Sequence, residues 1–230
     1  MALPAILCLH GSGVNGTVFK FQLSGLQRLL SKTFDFVFLD GQFERDAGYG
    51  VLPFFEGFEP FFRWKSKSDD IHYTEEEVEK ETKVLIENTL KTRDDWVGIL
   101  GFSQGGRLAA GLLSEQEKRE EEEPHSEDAA FKFGVFFMTP CPPMTSLVYE
   151  EGEWNKIQTP SIHIAGKQDY WHPWSLKLRQ DYFEEETSKL MEIDIGHTLP
   201  TAPVENIAIA IEILRLYLET TGIRGTLSQS

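Results

Sequence analysis

Short apolar runs alternate with longer amphipathic ones along most of the chain, and this alternation restricts the fold more than any other feature. The runs at 5–9, 34–39, 96–100, 133–137, 161–165 and 190–195 read as strands. Helical patterns lie between them at about 18–30, 74–91, 104–117, 173–185 and 203–220. Alternating strands and helices imply right-handed crossovers and a parallel sheet covered on both faces. Near-continuous apolarity within the strands agrees with burial on both sides. Thr74 and Glu77 form a capping box, Pro173 and Pro203 suit first-turn positions, and Gly222 suits a helix stop. The 230 residues fit one large domain, 1–230, with a substantial core. The expected architecture is an α/β fold with a sheet of about six mainly parallel strands.

Three segments break the pattern. Residues 41–73 carry nine aromatic side chains, from Phe43 to Tyr73, among Pro53, Pro60 and several glycines. Such a segment is too apolar for a solvated loop and too irregular for a strand. It reads either as a lid or pocket wall, or as core packing beneath a loop. Residues 115–128, with Glu120 to Glu123 in a row, read as an acidic surface excursion. Residues 139–156 begin Thr139-Pro140-Cys141-Pro142-Pro143 and follow a strand end, so they border the same edge of the sheet.

The formal net charge of −15 argues against nucleic acid or an anionic membrane as the main partner. It also disfavours docking to an acidic protein without a local basic patch, for which Arg63, Lys65 and Lys67 are the candidates. Cys8 and Cys141 are far apart in sequence, and Cys8 falls within an apolar run. A reducing compartment fits, and the expected location is cytoplasmic. The N-terminal run lacks a basic flank and ends early at His10-Gly11, so it reads as a strand rather than a signal peptide. No apolar run is long enough to span a bilayer.

The chemistry is carried first by Gly101-Phe102-Ser103-Gln104-Gly105-Gly106. A Gly-x-Ser-x-Gly pattern is weak by itself. Here it directly follows the apolar run 96–100 and precedes a helical pattern. That context places Ser103 on a sharp strand-to-helix turn with its hydroxyl projecting into open space. The alternative is a glycine-rich turn that merely packs a helix on a sheet.

A serine hydroxyl needs a base to take its proton, and the base needs orienting. Later strand ends supply both: 161–165 leads into Gly166-Lys167-Gln168-Asp169, and 190–195 leads into Gly196-His197. Both residues then leave the carboxyl ends of strands, where ligands bind in open α/β sheets. The roles that follow are Ser103 as nucleophile, His197 as general base and acid, and Asp169 as orienting acid. Asp194 is the competing acid, but its placement within a strand would let the pleat set its direction. His163 reads as a core residue and His172 as pocket wall. With Asp169, the two match no metal-ligand spacing, so a metal is not expected. The first strand ends in His10-Gly11-Ser12, where such hydrolases place a second oxyanion donor. The expected donors are the backbone N–H groups of Ser12 and Gln104. Backbone donors survive side-chain mutation, so alanine at either position should reveal little. For His10, the structural alternative is a side chain that bonds the loop.

Four stretches together resemble the fungal serine hydrolase (FSH-type) family of α/β-hydrolases. They are Leu9-His10-Gly11-Ser12-Gly13-Val14-Asn15, Gly101 to Gly106, Gly166 to Asp169, and Gly196-His197-Thr198-Leu199-Pro200. The resemblance implies a cofactor-free hydrolase with a shortened α/β-hydrolase sheet, helices on both faces, a lid-like insertion, and Ser103, Asp169 and His197 as its triad. The aromatic segment looks most like members from fungal polyketide pathways, which implies release of a polyketide acyl chain from the acyl carrier domain of its synthase. The small-ester carboxylesterase, the acyl-protein thioesterase and a non-catalytic binding protein remain the alternatives. Phe54, Phe55, Phe58, Phe61, Phe62, Trp64, Trp171 and Trp174 are the candidate walls of an apolar acyl pocket.

Overall fold

The computed structural model of the chain describes residues 2–65, 80–123, 131–145 and 155–222. The first strand, β1 (Ala5–Leu9), is buried along its whole length and pairs on both sides. Its alternate side chains enter different cores: Ile6 and Cys8 pack with Phe19, Phe34 and Phe133, whereas Leu7 and Leu9 pack with Leu108, Phe136 and Ile99. Each such fully buried side chain contributes about 1.5–3 kcal/mol of transfer free energy. Beside it lie β2 (Asp35–Leu39) and β5 (Trp96–Phe102), and the sheet continues through β6 (Phe133–Phe137), β7 (Ser161–Gly166) and β8 (Ser188–Ile193). The order is β2-β1-β5-β6-β7-β8, and every adjacent pair is parallel. This is the α/β sheet expected from the alternation.

The helices are α1 (Gly16–Gln22), α2 (Ser24–Leu30), α3 (Lys80–Leu90), α4 (Gln104–Glu122), α5 (His172–Tyr182) and α6 (Pro203–Thr221). The single helix expected at 18–30 is broken at Leu23, whose ψ of 3° interrupts the helical path. The Asn15 side chain caps α1 by accepting from the Val18 N–H, so that helix starts earlier than its apolar pattern. Pro173 lies in the first turn of α5, Pro203 opens α6, and Gly222 closes α6 in the left-handed conformation. The first part of the acidic run is helical, because α4 extends to Glu122. The capping box at Thr74 and Glu77 and residues 124–128 lie outside the described residues. Among the described residues, no helix is long and apolar enough to cross a membrane.

The aromatic segment contains a two-stranded antiparallel ribbon, β3 (Phe43–Arg45) with β4 (Phe61–Arg63). It lies against the loop after β1 through a bridge between Val14 and Phe62. The last strand starts and ends earlier than expected, so Asp194 follows it rather than sitting within it.

Candidate active site

The strand β5 hands the chain to α4 at Ser103, whose φ of 52° and ψ of −118° are strained for a residue with a side chain. The surrounding contacts hold that conformation. The Ser103 N–H donates to the Phe137 carbonyl (3.0 Å), and its own carbonyl accepts the Arg107 N–H (3.1 Å) to begin the helix. The flanking glycines are required by close approach: a Cβ on Gly101 would overlap the Gly106 backbone, and one on Gly105 would overlap the Leu9 and His10 carbonyls. The turn therefore packs directly against the end of β1. A Cβ on Gly11 would stand 3.5 Å from the Ser103 Cβ, so the loop after β1 runs beside the serine.

Two further strand ends meet this turn. His197 Nε2 lies 2.9 Å from Ser103 Oγ, and His197 Nδ1 lies 2.7 Å from Asp169 Oδ2. The Asp169 side chain is fully enclosed, and its other oxygen accepts the Trp171 N–H (2.8 Å). With the carboxylate facing Nδ1, the imidazole carries its proton there and presents the Nε2 lone pair to the serine hydroxyl. Phe102 lies against the imidazole with ring centroids 5.0 Å apart, which limits the ring's tilt. Nothing in the sequence singled out Phe102.

The competing acid is directed elsewhere: Asp194 Oδ1 accepts from the Gln168 side chain (3.0 Å). His163 is a buried core residue between Phe136 and Phe183, with Ser161 Oγ 3.2 Å from its Nε2. Burial lowers its pKa to about 3, with the Arg179 charge adding to the effect. His172 meets Glu192 at 2.8 Å. These imidazoles and Asp169 thus have three separate partners. Among the described residues, no group of three His, Cys, Asp or Glu side chains could hold a metal ion.

Gln104 is the first residue of α4, so its N–H precedes the first intrahelical bond and lies at the positive end of the helix dipole. Ser12 is on the loop that runs beside Ser103. Neither side chain is idle. Gln104 Oε1 accepts the Trp64 N–H (2.9 Å), and Ser12 Oγ accepts from the Arg45 guanidinium (2.6 Å). Alanine at either position would remove one of these two bonds, which the sequence alone does not show.

The pocket candidates separate into three groups. Trp64 and Phe61 are corrections: both are closed into the core, so neither ring faces a ligand. Phe54 and Phe58 are exposed, with Phe58 in edge contact with Phe21 and Phe55. Phe55, Phe62, Trp171 and Trp174 are half-buried. Trp171 and Trp174 lie 5.5 Å apart and share Tyr170, an exposed ring that the sequence reading passed over. In the candidate basic patch, Lys65 is buried and Arg63 half-buried, while Lys67 lies outside the described residues.

A parallel sheet of this order, with a strained serine at its central strand-to-helix turn, defines the class: the protein is an α/β-hydrolase. The chain belongs to the serine hydrolase (FSH1) family, which it matches over residues 1–209. It is 36% identical to the esterase FUS5 of Gibberella fujikuroi, over 86% of this chain and 81% of that protein. It is 28% identical to the thioesterase FSL2 of Gibberella zeae, over 92% of each. A carboxylesterase from Mesorhizobium loti has the same fold, at TM-score 0.59 and 18% identity over 92% of this chain and 88% of that one. SOBER1 of Arabidopsis thaliana also matches at TM-score 0.59 and 18% identity, over 94% and 99%. The protein is a serine hydrolase of the esterase and thioesterase group.

Proposed function

We propose that the protein hydrolyses an acyl thioester through an acyl-enzyme on Ser103, releasing a polyketide acyl chain from the acyl carrier domain of its synthase. The observation that carries the serine chemistry is the line Ser103 Oγ–His197 Nε2 (2.9 Å) and His197 Nδ1–Asp169 Oδ2 (2.7 Å). Ser103 Oγ attacks the acyl carbonyl while His197 takes its proton, and Asp169 stabilises the imidazolium. The backbone N–H groups of Ser12 and Gln104 stabilise the developing oxyanion. Collapse of the intermediate breaks the carbon–sulfur bond, and His197 returns the proton to the leaving thiolate. Water, deprotonated by His197, then attacks the acyl-enzyme, and the carboxylic acid leaves. No cofactor is needed for any of these steps.

The rings that remain accessible, Phe54, Phe55, Phe58 and Phe62 of the 41–73 insertion together with Trp171 and Trp174, are the candidate borders of the acyl chain. Flat apolar walls with few polar anchors suit an apolar or aromatic acyl group. A second reading, a carboxylesterase on small esters, is favoured by one observation. Lys65 is buried, so the basic patch that would attract an acidic carrier domain is diminished on a chain of net charge −15.

Intact-mass tracking of an acylated carrier domain beside the matching methyl and p-nitrophenyl esters separates the two. The thioesterase reading predicts kcat/KM at least about tenfold higher on the carrier-bound acyl group. The reverse order establishes the carboxylesterase, and turnover of none of these substrates favours a non-catalytic binding protein.

A further inference from the structure

Within the described part of the aromatic insertion, Trp64 bonds both to the end of β1 and to the start of α4. Trp64 is fully buried, and four of its contacts run to three different parts of the fold. Its indole N–H donates to the His10 carbonyl (2.7 Å), at the start of the loop that carries Ser12. Its backbone N–H donates to Gln104 Oε1 (2.9 Å), on the residue that follows the nucleophile. Its carbonyl accepts from Thr82 Oγ1 (2.8 Å) on α3. Its ring lies against the His10 imidazole with centroids 4.9 Å apart.

His10 extends the connection. Its Nδ1 lies 2.7 Å from the Gly11 carbonyl, and its Nε2 accepts the Gly41 N–H (2.9 Å). Donation to Gly11 with acceptance from Gly41 requires one neutral tautomer. The loop after β1 is held again by the Gly13 N–H to the Phe62 carbonyl and by Arg45 on Ser12 Oγ. Two segments flank Ser103, the loop 10–13 and the first turn of α4. They pack together where Gly105 meets the Leu9 and His10 carbonyls, and Trp64 hydrogen-bonds to both at once.

We propose that Trp64 is a positioning residue that fixes the loop carrying Ser12 against the helix start carrying Gln104, and so sets the geometry of the oxyanion pocket. The proposal rests on the reading of Ser103 as nucleophile and deepens it. Oxyanion donors act through preorganisation, and displacement by a fraction of an ångström weakens them in the transition state more than in substrate binding. The loss therefore appears in kcat rather than in KM.

The test is Trp64→Phe in the full chain, which keeps a buried ring and removes the indole donor. Steady-state hydrolysis of a p-nitrophenyl ester and inhibition by an alkyl boronic acid are read beside the wild type. A boronate forms a tetrahedral adduct on the serine and so reports on the oxyanion pocket. The expected result is kcat lower by about tenfold to 100-fold, KM within about threefold, and a boronate inhibition constant raised in parallel with the fall in kcat. A variant with a lower melting temperature but wild-type kcat and boronate affinity overturns the proposal, because a merely structural ring would behave that way. Should Trp64→Phe fail to fold, Thr82→Val carries the test, since it removes the hydroxyl on the Trp64 carbonyl with little change of shape. A fall in kcat of about threefold or more at unchanged KM supports the positioning role, and an unchanged kcat overturns it. Ser103→Ala is run alongside. If it retains activity, the nucleophile reading itself fails; if it is inactive while Trp64→Phe is wild type, only the positioning role fails.

Discussion

The sheet edge bearing Ser103, Asp169 and His197 and the insertion packed beside it are built on opposite principles. At the edge, each of these three side chains leaves the carboxyl end of its own strand within a few residues, and the parallel register brings the three ends together. In the insertion, short irregular segments are held by bonds between residues distant in the chain: Trp64 to His10, Trp64 to Gln104, Asn15 to the Phe58 and Pro60 carbonyls. The first region brings Ser103, Asp169 and His197 together by topology, and the second is held beside them by packing. Topology fixes which groups meet. Fine geometry depends on contacts from elsewhere.

The sharpest break of the comparison is Ser103→Ala. It should lower turnover by about 10⁴-fold or more while leaving the fold intact, measured by ester hydrolysis and thermal melting. Asp169→Asn should follow at about 10⁴-fold, because the amide favours the wrong imidazole tautomer, whereas Asp194→Asn should stay within about twofold. A larger effect at Asp194 than at Asp169 would reverse the assignment of the acid. On the insertion side, Gln104→Leu and Ser12→Ala should each lower kcat by about threefold to tenfold at nearly constant KM, by releasing Trp64 and Arg45 respectively.

Acid probes stability through two buried imidazoles. Burial lowers His10 to about 4, with smaller opposing contributions from the Gly11 carbonyl and Asp40, and lowers His163 to about 3. Both imidazoles titrate near 6.5 in the unfolded chain. Above that pH both states are neutral and the full stability is present. Between about 6.5 and 4 the unfolded chain takes up protons that the folded one refuses, so stability falls as pH falls. Each histidine should contribute about 2–3 kcal/mol of loss by pH 4.5, read as urea midpoints at pH 7 and 4.5. Replacing His163 by Leu should reduce that loss. Within the insertion the smallest expected effect is Phe54→Ala, within about 0.5 kcal/mol of wild type, against about 3–5 kcal/mol for Trp64→Ala.

The contrast also decides what could be read from the sequence. Strand runs, the serine turn, Asp169 and His197 are marked by local patterns: an apolar stretch, a glycine and a polar residue at its end. The break at Leu23 and the early end of β8 escaped notice because neither is a composition feature. The short β7–β8 ladder, which stops at Gly166 opposite Ile193, is what places Asp194 beyond the pleat. In the segment 41–73 the rings were visible but their sides were not. Phe54 and Trp64 look alike in sequence, yet one faces solvent and the other is enclosed by His10, Gln104 and Thr82. Contacts across 18, 40 and 54 residues leave no local periodicity to find.

The central claim is that one serine, activated at this sheet edge, carries the acyl group. Labelling with a fluorophosphonate followed by peptide mapping tests it most directly. The account predicts a single adduct on Ser103, absent in Ser103→Ala and strongly slowed in Asp169→Asn. An adduct on another residue, or labelling undiminished in Ser103→Ala, would contradict it.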